Sequence, residues 1–283
     1  MTRLFRWGLL VSLTTLALSL KAGAQPFPQD IQRILTAKKI TVAMLATDFP
    51  PFLWTGADDR LQGFDVQLAR NIAREFGVKL ELVRTAATFN GIVEQVAEKQ
   101  ADLGISALTI NPDRVKKVYF SNPYLTMHAA LLVNRRQLLL EQEKFPRRDL
   151  RNTTASIGAM KGSSYILAAQ QSFPRATLKK YDSIADELAA VQKGEILGML
   201  DDDIVIKRFF RGHPGAAVSL DMHVFEDLPD FIGIAVRPDS PHLLAWINSY
   251  ILSKGLHLTS SEILEKFSQA APVHKPAGKG RGK

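Results

Sequence analysis

A chain of 283 residues with 46% apolar and 23% charged side chains can bury a substantial core, which excludes a disordered or low-complexity polymer. Its formal charge of +8 points first to nucleic acid, but Arg3, Arg6, Lys21, Lys275, Lys279, Arg281 and Lys283 supply seven of those eight charges from the two ends. The body is close to neutral and offers no basic face for a phosphate backbone, and the absence of Cys removes disulfides, thiolate metal sites and Cys nucleophiles.

In chain order, Arg3 and Arg6 precede the apolar run Trp7–Leu20 and the small residues Ala22-Gly23-Ala24. These are the parts of a secretory signal peptide over 1–24, cut before Gln25, and they predict export to a bacterial periplasm. The run is too short to span a bilayer with comfort. Ile40–Leu45 then predicts a buried strand. Phe64, Leu68, Ile72 and Phe76 at i, i+4 spacing predict a helix ended by Gly77. Strand Lys79–Val83, helix Asn90–Lys99 and strand Asp102–Ser106 follow, and strand–helix alternation implies a mainly parallel sheet covered by helices.

After a strand at His128–Val133, the polar stretch Arg135–Asn152 is expected to be loop and edge. A second alternating set follows. Its strands lie near Ala155–Ala159, Ala176–Lys180 and Ile196–Leu200, and its helices near Ser164–Gln171, Ile184–Lys193 and Asp202–Arg211. Ser183 and Gly194 bracket the middle helix. A late strand at Phe231–Arg237 and a helix at Pro241–Leu252 precede a Pro/Gly/Lys-rich tail from Ala271, expected to be disordered. Two α/β units in series leave a cleft between them, and ligands of such sheets sit beyond the carboxyl ends of the strands.

The stretch Ile105–Arg114 (ISALTINPDR) lies at such an end. Asn111 reads as an N-cap with Pro112 in the first helical position, which puts Arg114 in the first turn, where the dipole disfavours a cation. Hydroxyls, backbone N–H groups and a guanidinium gathered there would suit an anion.

Several of these blocks are recognisable in order. They are FPPF (49–52), LQGFDVQLARNIAREFGV (61–78), ADLGISALTINPDRVKKVYFSNPY (101–124), DLRNTTASIGAMKGSSY (149–165), LDDD (200–203) and FIGIAVR (231–237). With them the chain, from about Lys39 to Phe267, resembles the periplasmic solute-binding proteins of polar-amino-acid ABC transporters, the bacterial extracellular solute-binding protein family 3. The resemblance implies an α/β, two-lobe type II periplasmic-binding-protein fold. Each lobe would be a mainly parallel sheet flanked by helices, joined by two hinge segments near Thr126–His128 and Leu228–Phe231. Lobe 1 would comprise 25–127 and 228–270, lobe 2 128–227, and the basic tail 271–283. Closure would trap the ligand by a hinge motion.

The resemblance also implies a site. Arg114 would pair a ligand α-carboxylate, a planar fork that Lys cannot imitate. Ala107 and Thr109 would line the same anion site, and a plain turn hydrogen bond is the alternative for Thr109. Ser163 and Ser164, after Gly162, would approach from the second lobe, unless Ser164 merely caps its helix. Asp202 would accept the ligand ammonium, although a helix-start role fits any member of Asp201–Asp203. Phe49 and Phe89 would wall the side-chain pocket and could hold a flat group between them, while Phe52 and Trp54 suit core or rim. Ser106 could be turned away by strand alternation. Many relatives carry an Asp where this chain has Ala46, which weakens the case for a strongly cationic ligand.

The expected function is capture of a small amino acid or close analogue and its delivery to an inner-membrane ABC permease, by a monomer without enzymatic activity, cofactor or metal, and with no nucleic-acid partner. The alternatives are a lyase of the same fold, of the cyclohexadienyl dehydratase type, with Asp48, Asp201 or His128 as candidate acid or base, and a ligand-presenting sensory protein.

Overall fold

The computed structural model describes residues 27–144 and 149–267, so the signal-peptide and basic-tail expectations lie outside the described residues. Two sheets organise the rest. The first runs in the order Lys79–Ala86, Lys39–Leu45, Leu103–Gly104, Ala235–Val236, Tyr119–Phe120. Its first three strands are parallel, and Ala235–Val236 is antiparallel to both neighbours. The second runs Leu220–Ile232, Leu125–Asn134, Gly198–Asp202, Ser156–Met160, Thr177–Tyr181. Its last three strands are parallel, while Leu125–Asn134 is antiparallel to Leu220–Ile232 and to Gly198–Asp202.

Leu125–Asn134 and Leu220–Ile232 connect the two halves. They pair with each other at Pro229↔His128, Asp230↔Met127 and Phe231↔Thr126, where both hinge segments were expected. Two hydrogen-bonded strands side by side form a ribbon that can bend or twist without breaking either lobe.

The helix Phe64–Phe76 buries Phe64, Leu68, Ala69, Ile72 and Ala73 and stops at Gly77, whose φ of +73° suits glycine. Each fully buried Leu or Ile contributes about 1.5–3 kcal/mol relative to exposure. One core cluster surrounds the first sheet, with Phe52 and Leu53 in it, and Trp54 beside them is likewise buried. Two smaller clusters use the two faces of the second sheet, divided by the alternation of Leu131 and Val133 against Ala130 and Leu132.

Some expectations need correction. Arg135–Lys144 is a helix, because Arg, Gln, Leu, Glu and Lys are good helix formers even without an apolar stripe. Arg135 fixes its start by donating to the carbonyl of Leu220 at 3.0 Å. Gln29–Ala37 and Ser260–Phe267 are helices that the reading left unassigned. The late strand expected over Phe231–Arg237 is split between the short strand Ala235–Val236 of the first sheet and the end of the long strand Leu220–Ile232 of the second. The long strand is irregular between Val224 and Pro229, where a sheet edge tolerates the proline.

Gly63, at φ +122°, lets the helix start pass beneath the loop before it, and a Cβ there would lie 2.2 Å from the carbonyl oxygen of Phe52. Gly63→Ala is expected to destabilise the fold by more than about 2 kcal/mol in urea denaturation, from backbone strain and overpacking together. A loss below about 0.5 kcal/mol would show that the loop can move aside.

Candidate ligand-binding site

The loop 105–111 is set by a buried carboxylate. Asp65, one residue into its helix and fully buried, accepts the Ala107 N–H at 2.6 Å and the Tyr124 hydroxyl at 2.9 Å. These bonds hold Ala107 at φ +46°, a left-handed conformation unusual for a side chain with a Cβ. Burial pushes the Asp65 carboxyl up to about 7, against the lowering effect of its two donors. Ser106 is turned away, and its hydroxyl accepts the Leu45 N–H at 3.3 Å. Asn111 caps as read, accepting the Arg114 N–H at 3.0 Å.

Arg114 is buried among hydroxyls and carbonyls. Its Nε donates to Asn90 Oδ1 at 3.1 Å, its Nη1 to the Thr109 carbonyl at 2.9 Å and its Nη2 to the Gly162 carbonyl at 3.5 Å. The first two anchors fix the plane of the guanidinium, and its remaining donors face a chamber between the two sheets. Desolvation lowers its pKa to about 10, partly opposed by the charge of Asp230.

The opposite wall comes from the second sheet. Gly162, at φ +72°, brings the backbone against Thr88, where a Cβ would lie 2.7 Å from the Thr88 Cβ. Ser163 donates to the Met160 carbonyl at 2.7 Å. Ser164 makes no side-chain cap for its helix, and its hydroxyl lies 2.8 Å from that of Thr109. Thr109 donates to Asp230 Oδ2 at 3.0 Å, so its single hydroxyl proton is spent and Ser164 is the donor in the pair.

Asp202 ends the strand Gly198–Asp202. Its Oδ1 lies 2.5 Å from the Tyr165 hydroxyl, which is 3.0 Å from Asp230 Oδ2. One phenolic proton therefore serves two carboxylates. Burial first, and the charges of Asp230 and Asp201 next, push the Asp202 carboxyl well up. Burial pushes Asp201 to about 7, against the Asp202 N–H that donates to it at 2.8 Å. Asp230 is raised by burial and held back by Asp202, Tyr165, Thr109 and Arg114, and its Oδ1 is buried without a hydrogen-bond donor among the described residues. Asp203 points elsewhere, accepting Ser260 Oγ and Lys207 Nζ, both at 2.5 Å.

All eight expected residues line one chamber: Phe49, Phe89, Ala107, Thr109, Arg114, Ser163, Ser164 and Asp202. Its volume is about 10 Å³, the size of a single water site, so the lobes stand closed on one another. Phe49 and Phe89 meet edge to face with centroids 5.4 Å apart, so no flat group lies between them and they form one wall. The sequence reading missed Tyr165, Asp230 and Asn90. Tyr165 stood in plain view after Gly162-Ser163-Ser164, whereas Asp230 is placed by the crossing strand, which no local pattern reveals. Of the three alternative acids or bases, Asp48 is bound by Arg84 at 3.1 Å and by the Thr55 N–H at 3.1 Å. His128 faces Glu226 at 3.6 Å on the crossing strand, and Asp201 alone reaches the chamber. No group of residues able to hold a metal occurs among the described residues.

Residues 40–270 match the family described as bacterial extracellular solute-binding proteins, family 3. The chain belongs to that family. Among curated relatives, ABC transporter arginine-binding protein 1 of Escherichia coli (strain K12) is 27% identical over 75% of this chain and 84% of its own length. Cyclohexadienyl dehydratase of Pseudomonas aeruginosa is 33% identical over 41% of this chain and 42% of its own. Among solved structures, the amino acid ABC transporter substrate-binding protein AbpA of Streptococcus pneumoniae bound to L-arginine superposes with a TM-score of 0.69 at 25% identity, covering 86% of this chain and 100% of that one. This family member has the two-lobe α/β architecture, with a mixed sheet in each half.

The carboxyls also set a pH dependence. A carboxyl whose folded pKa is raised, as at Asp201, binds its proton more tightly folded than unfolded. Its contribution to stability is complete below its ordinary value and is lost as pH rises through about 7. Thermal unfolding of the ligand-free protein between pH 4 and pH 8 is expected to show a shallower decline in Asp201→Asn than in wild type. Parallel curves for the two would remove Asp201 from this balance.

Proposed function

We propose that this protein captures a small α-amino acid or close analogue between its lobes and delivers it to an inner-membrane ABC importer. One observation carries this reading: a guanidinium with open donors and a cluster of buried carboxylates face each other across one chamber. Arg114, with Thr109 and Ser164, would bind an α-carboxylate, and Asp202, with Asp201 and Asp230 behind it, would accept an α-ammonium. A zwitterion satisfies both walls at once, whereas a simple anion or cation leaves one buried charge unpaired, at a cost of several kcal/mol. The relatives named for arginine binding and for ABC transport support the class.

Within this proposal lobe 1 comprises 25–127 and 228–270, lobe 2 comprises 128–227, and residues 1–24 are a signal peptide that directs a monomer to the periplasm. The protein acts by binding rather than by catalysis. One observation favours the dehydratase reading: burial and the neighbouring acids favour the neutral form of the Asp202 carboxyl beside Tyr165, and general-acid loss of water draws on such a carboxyl. Growth of an aromatic chromophore from a cyclohexadienyl acid, lost in Asp202→Asn, would establish that reading instead.

Thermal unfolding against the twenty amino acids tests the main one. A ligand at about 100 times its Kd adds about 2.7 kcal/mol and is expected to raise the midpoint by several degrees. Arg114→Ala should weaken that ligand by about 2–5 kcal/mol in titration calorimetry. Unchanged affinity would remove Arg114 from the site. Because an ammonium favours ionised carboxylates, binding should be tighter at pH 8 than at pH 5.5 and should release protons near pH 6. Opposite signs would place the ammonium elsewhere. Binding to the open form should also compact the protein, and identical scattering profiles with and without saturating ligand would contradict hinge closure.

A further inference from the structure

The last acid of the run 201–203 is spent away from the chamber. Asp202 lines that chamber, whereas Asp203 is buried outside it. The Asp203 Oδ1 accepts Ser260 Oγ at 2.5 Å and the His128 N–H at 3.3 Å, and its Oδ2 accepts Lys207 Nζ at 2.5 Å. Those partners belong to the helix Ser260–Phe267, the crossing strand Leu125–Asn134 and the second-lobe helix Asp203–Gly212. Ser260 is itself buried, so its bond to Asp203 is a charge-assisted hydrogen bond shielded from water.

The segment that carries Ser260 touches both lobes. Leu258–Thr259 adds a short strand at the hinge, parallel to Leu125 and Thr126, which pair on their other side with Ile232 and Phe231. The Leu258 N–H donates to the Tyr124 carbonyl at 3.0 Å. The helix that follows then meets the first lobe through Phe267, whose ring lies edge to face on Phe64 with centroids 5.6 Å apart. It meets the second lobe through Ser260 and through the Leu264 carbonyl, which accepts Arg211 Nη1 at 3.2 Å. Ile263 and Leu264 share one core cluster with Phe64 of the first lobe and Ile204 of the second.

Rotation of the lobes about the crossing strands does not keep both sets of contacts. If the helix stays with Asp203, Phe267 slides off Phe64. If it stays with Phe64, the Asp203–Ser260 bond opens and a buried oxygen loses its donor. We propose that Leu258–Phe267 is a strap across the hinge that favours the closed form, latched to the second lobe by Asp203–Ser260 and seated on the first by Phe267–Phe64. The consecutive residues Asp202 and Asp203 then face the chamber and the strap respectively, so movement of that strand end is felt by both. The strap requires the hinge motion of the proposed function but no particular ligand.

Spin labels on the two lips of the cleft test this. The chain has no Cys, and Asp113 and Gln170 are exposed and line one groove between the lobes, so Asp113→Cys with Gln170→Cys places one label on each. Pulsed dipolar spectroscopy on the ligand-free mature protein reads the ratio of long to short distances. Ser260→Ala is expected to raise that ratio about tenfold, and Phe267→Ala about twofold to tenfold. Because a strap acts only while both ends hold, the two substitutions together should open the cleft little further than Ser260→Ala alone. Phe267 is half-buried, so its replacement leaves the core intact and keeps the test decisive if Ser260→Ala fails to fold. A helix that merely adds stability would lower the unfolding midpoint in these variants and leave the distances unmoved, and that result would overturn the strap, as would a wild-type population already open. Repeating the measurement with the amino acids separates the two readings. Binding without any change of distance contradicts hinge closure itself, whereas closure in wild type with an unmoved ratio in the Ala variants contradicts the strap alone.

Discussion

Buried charge is the constraint on which the rest of this structure depends. The cleft places one guanidinium, that of Arg114, against Asp201, Asp202 and Asp230 in surroundings that exclude water. A dry charge must be paired or neutralised. Here burial pushes the carboxyls toward their neutral forms, and Tyr165 divides a single hydroxyl proton between Asp202 and Asp230. A closed cleft of this composition is a compromise, relieved when a molecule supplies a cation to the acids and an anion to the arginine. That is the physical sense in which the site is complementary to a zwitterion, and it links ligand chemistry to lobe closure and to pH.

The scaffold supplies the precision. Thr109 and Arg114 reach the cleft because Asp65 ties down Ala107 and because Tyr124, at the end of the 101–124 block, braces the same carboxylate. A carboxylate buried against an N–H and a phenol is directional, so it fixes a loop that apolar packing alone would leave free to slide. From the other side Gly162 permits a backbone approach to Thr88 that no side chain would allow. Asp230 arrives by a third route, on a crossing strand paired with Met127, which places a member of the charge cluster on the hinge itself. Motion of that strand therefore alters the electrostatics of the cleft directly.

Selectivity follows from what is already paired. In the first-lobe wall Arg84 binds both Asp48 and the carbonyls of Leu45 and Ala46. The first-lobe wall consequently offers aromatic surface rather than open negative charge. Phe49 packs on Phe89 and Phe52, so the wall is also stiff.

The sequence by itself determined the alternating elements, the helix Phe64–Phe76 with its glycine stop and the Asn111–Pro112 start, which rest on local physics: periodicity, capping, and motifs a few residues long. The resemblance to the family pointed to Arg114, Thr109, Ser164 and Asp202, and the fold brings all four to one chamber. Sequence alone misjudged Arg135–Lys144, because helix propensity without an apolar stripe leaves no periodic signal. Only the tertiary structure decided that Asp230 and Tyr165 join Asp202, that Ser164 serves Thr109 instead of its own helix, that Phe49 and Phe89 touch, and that Asp48 is spent on Arg84. Each of these depends on contacts between segments distant in the chain, whose relative placement is set by how the two sheets close on one another and not by any pattern within either segment.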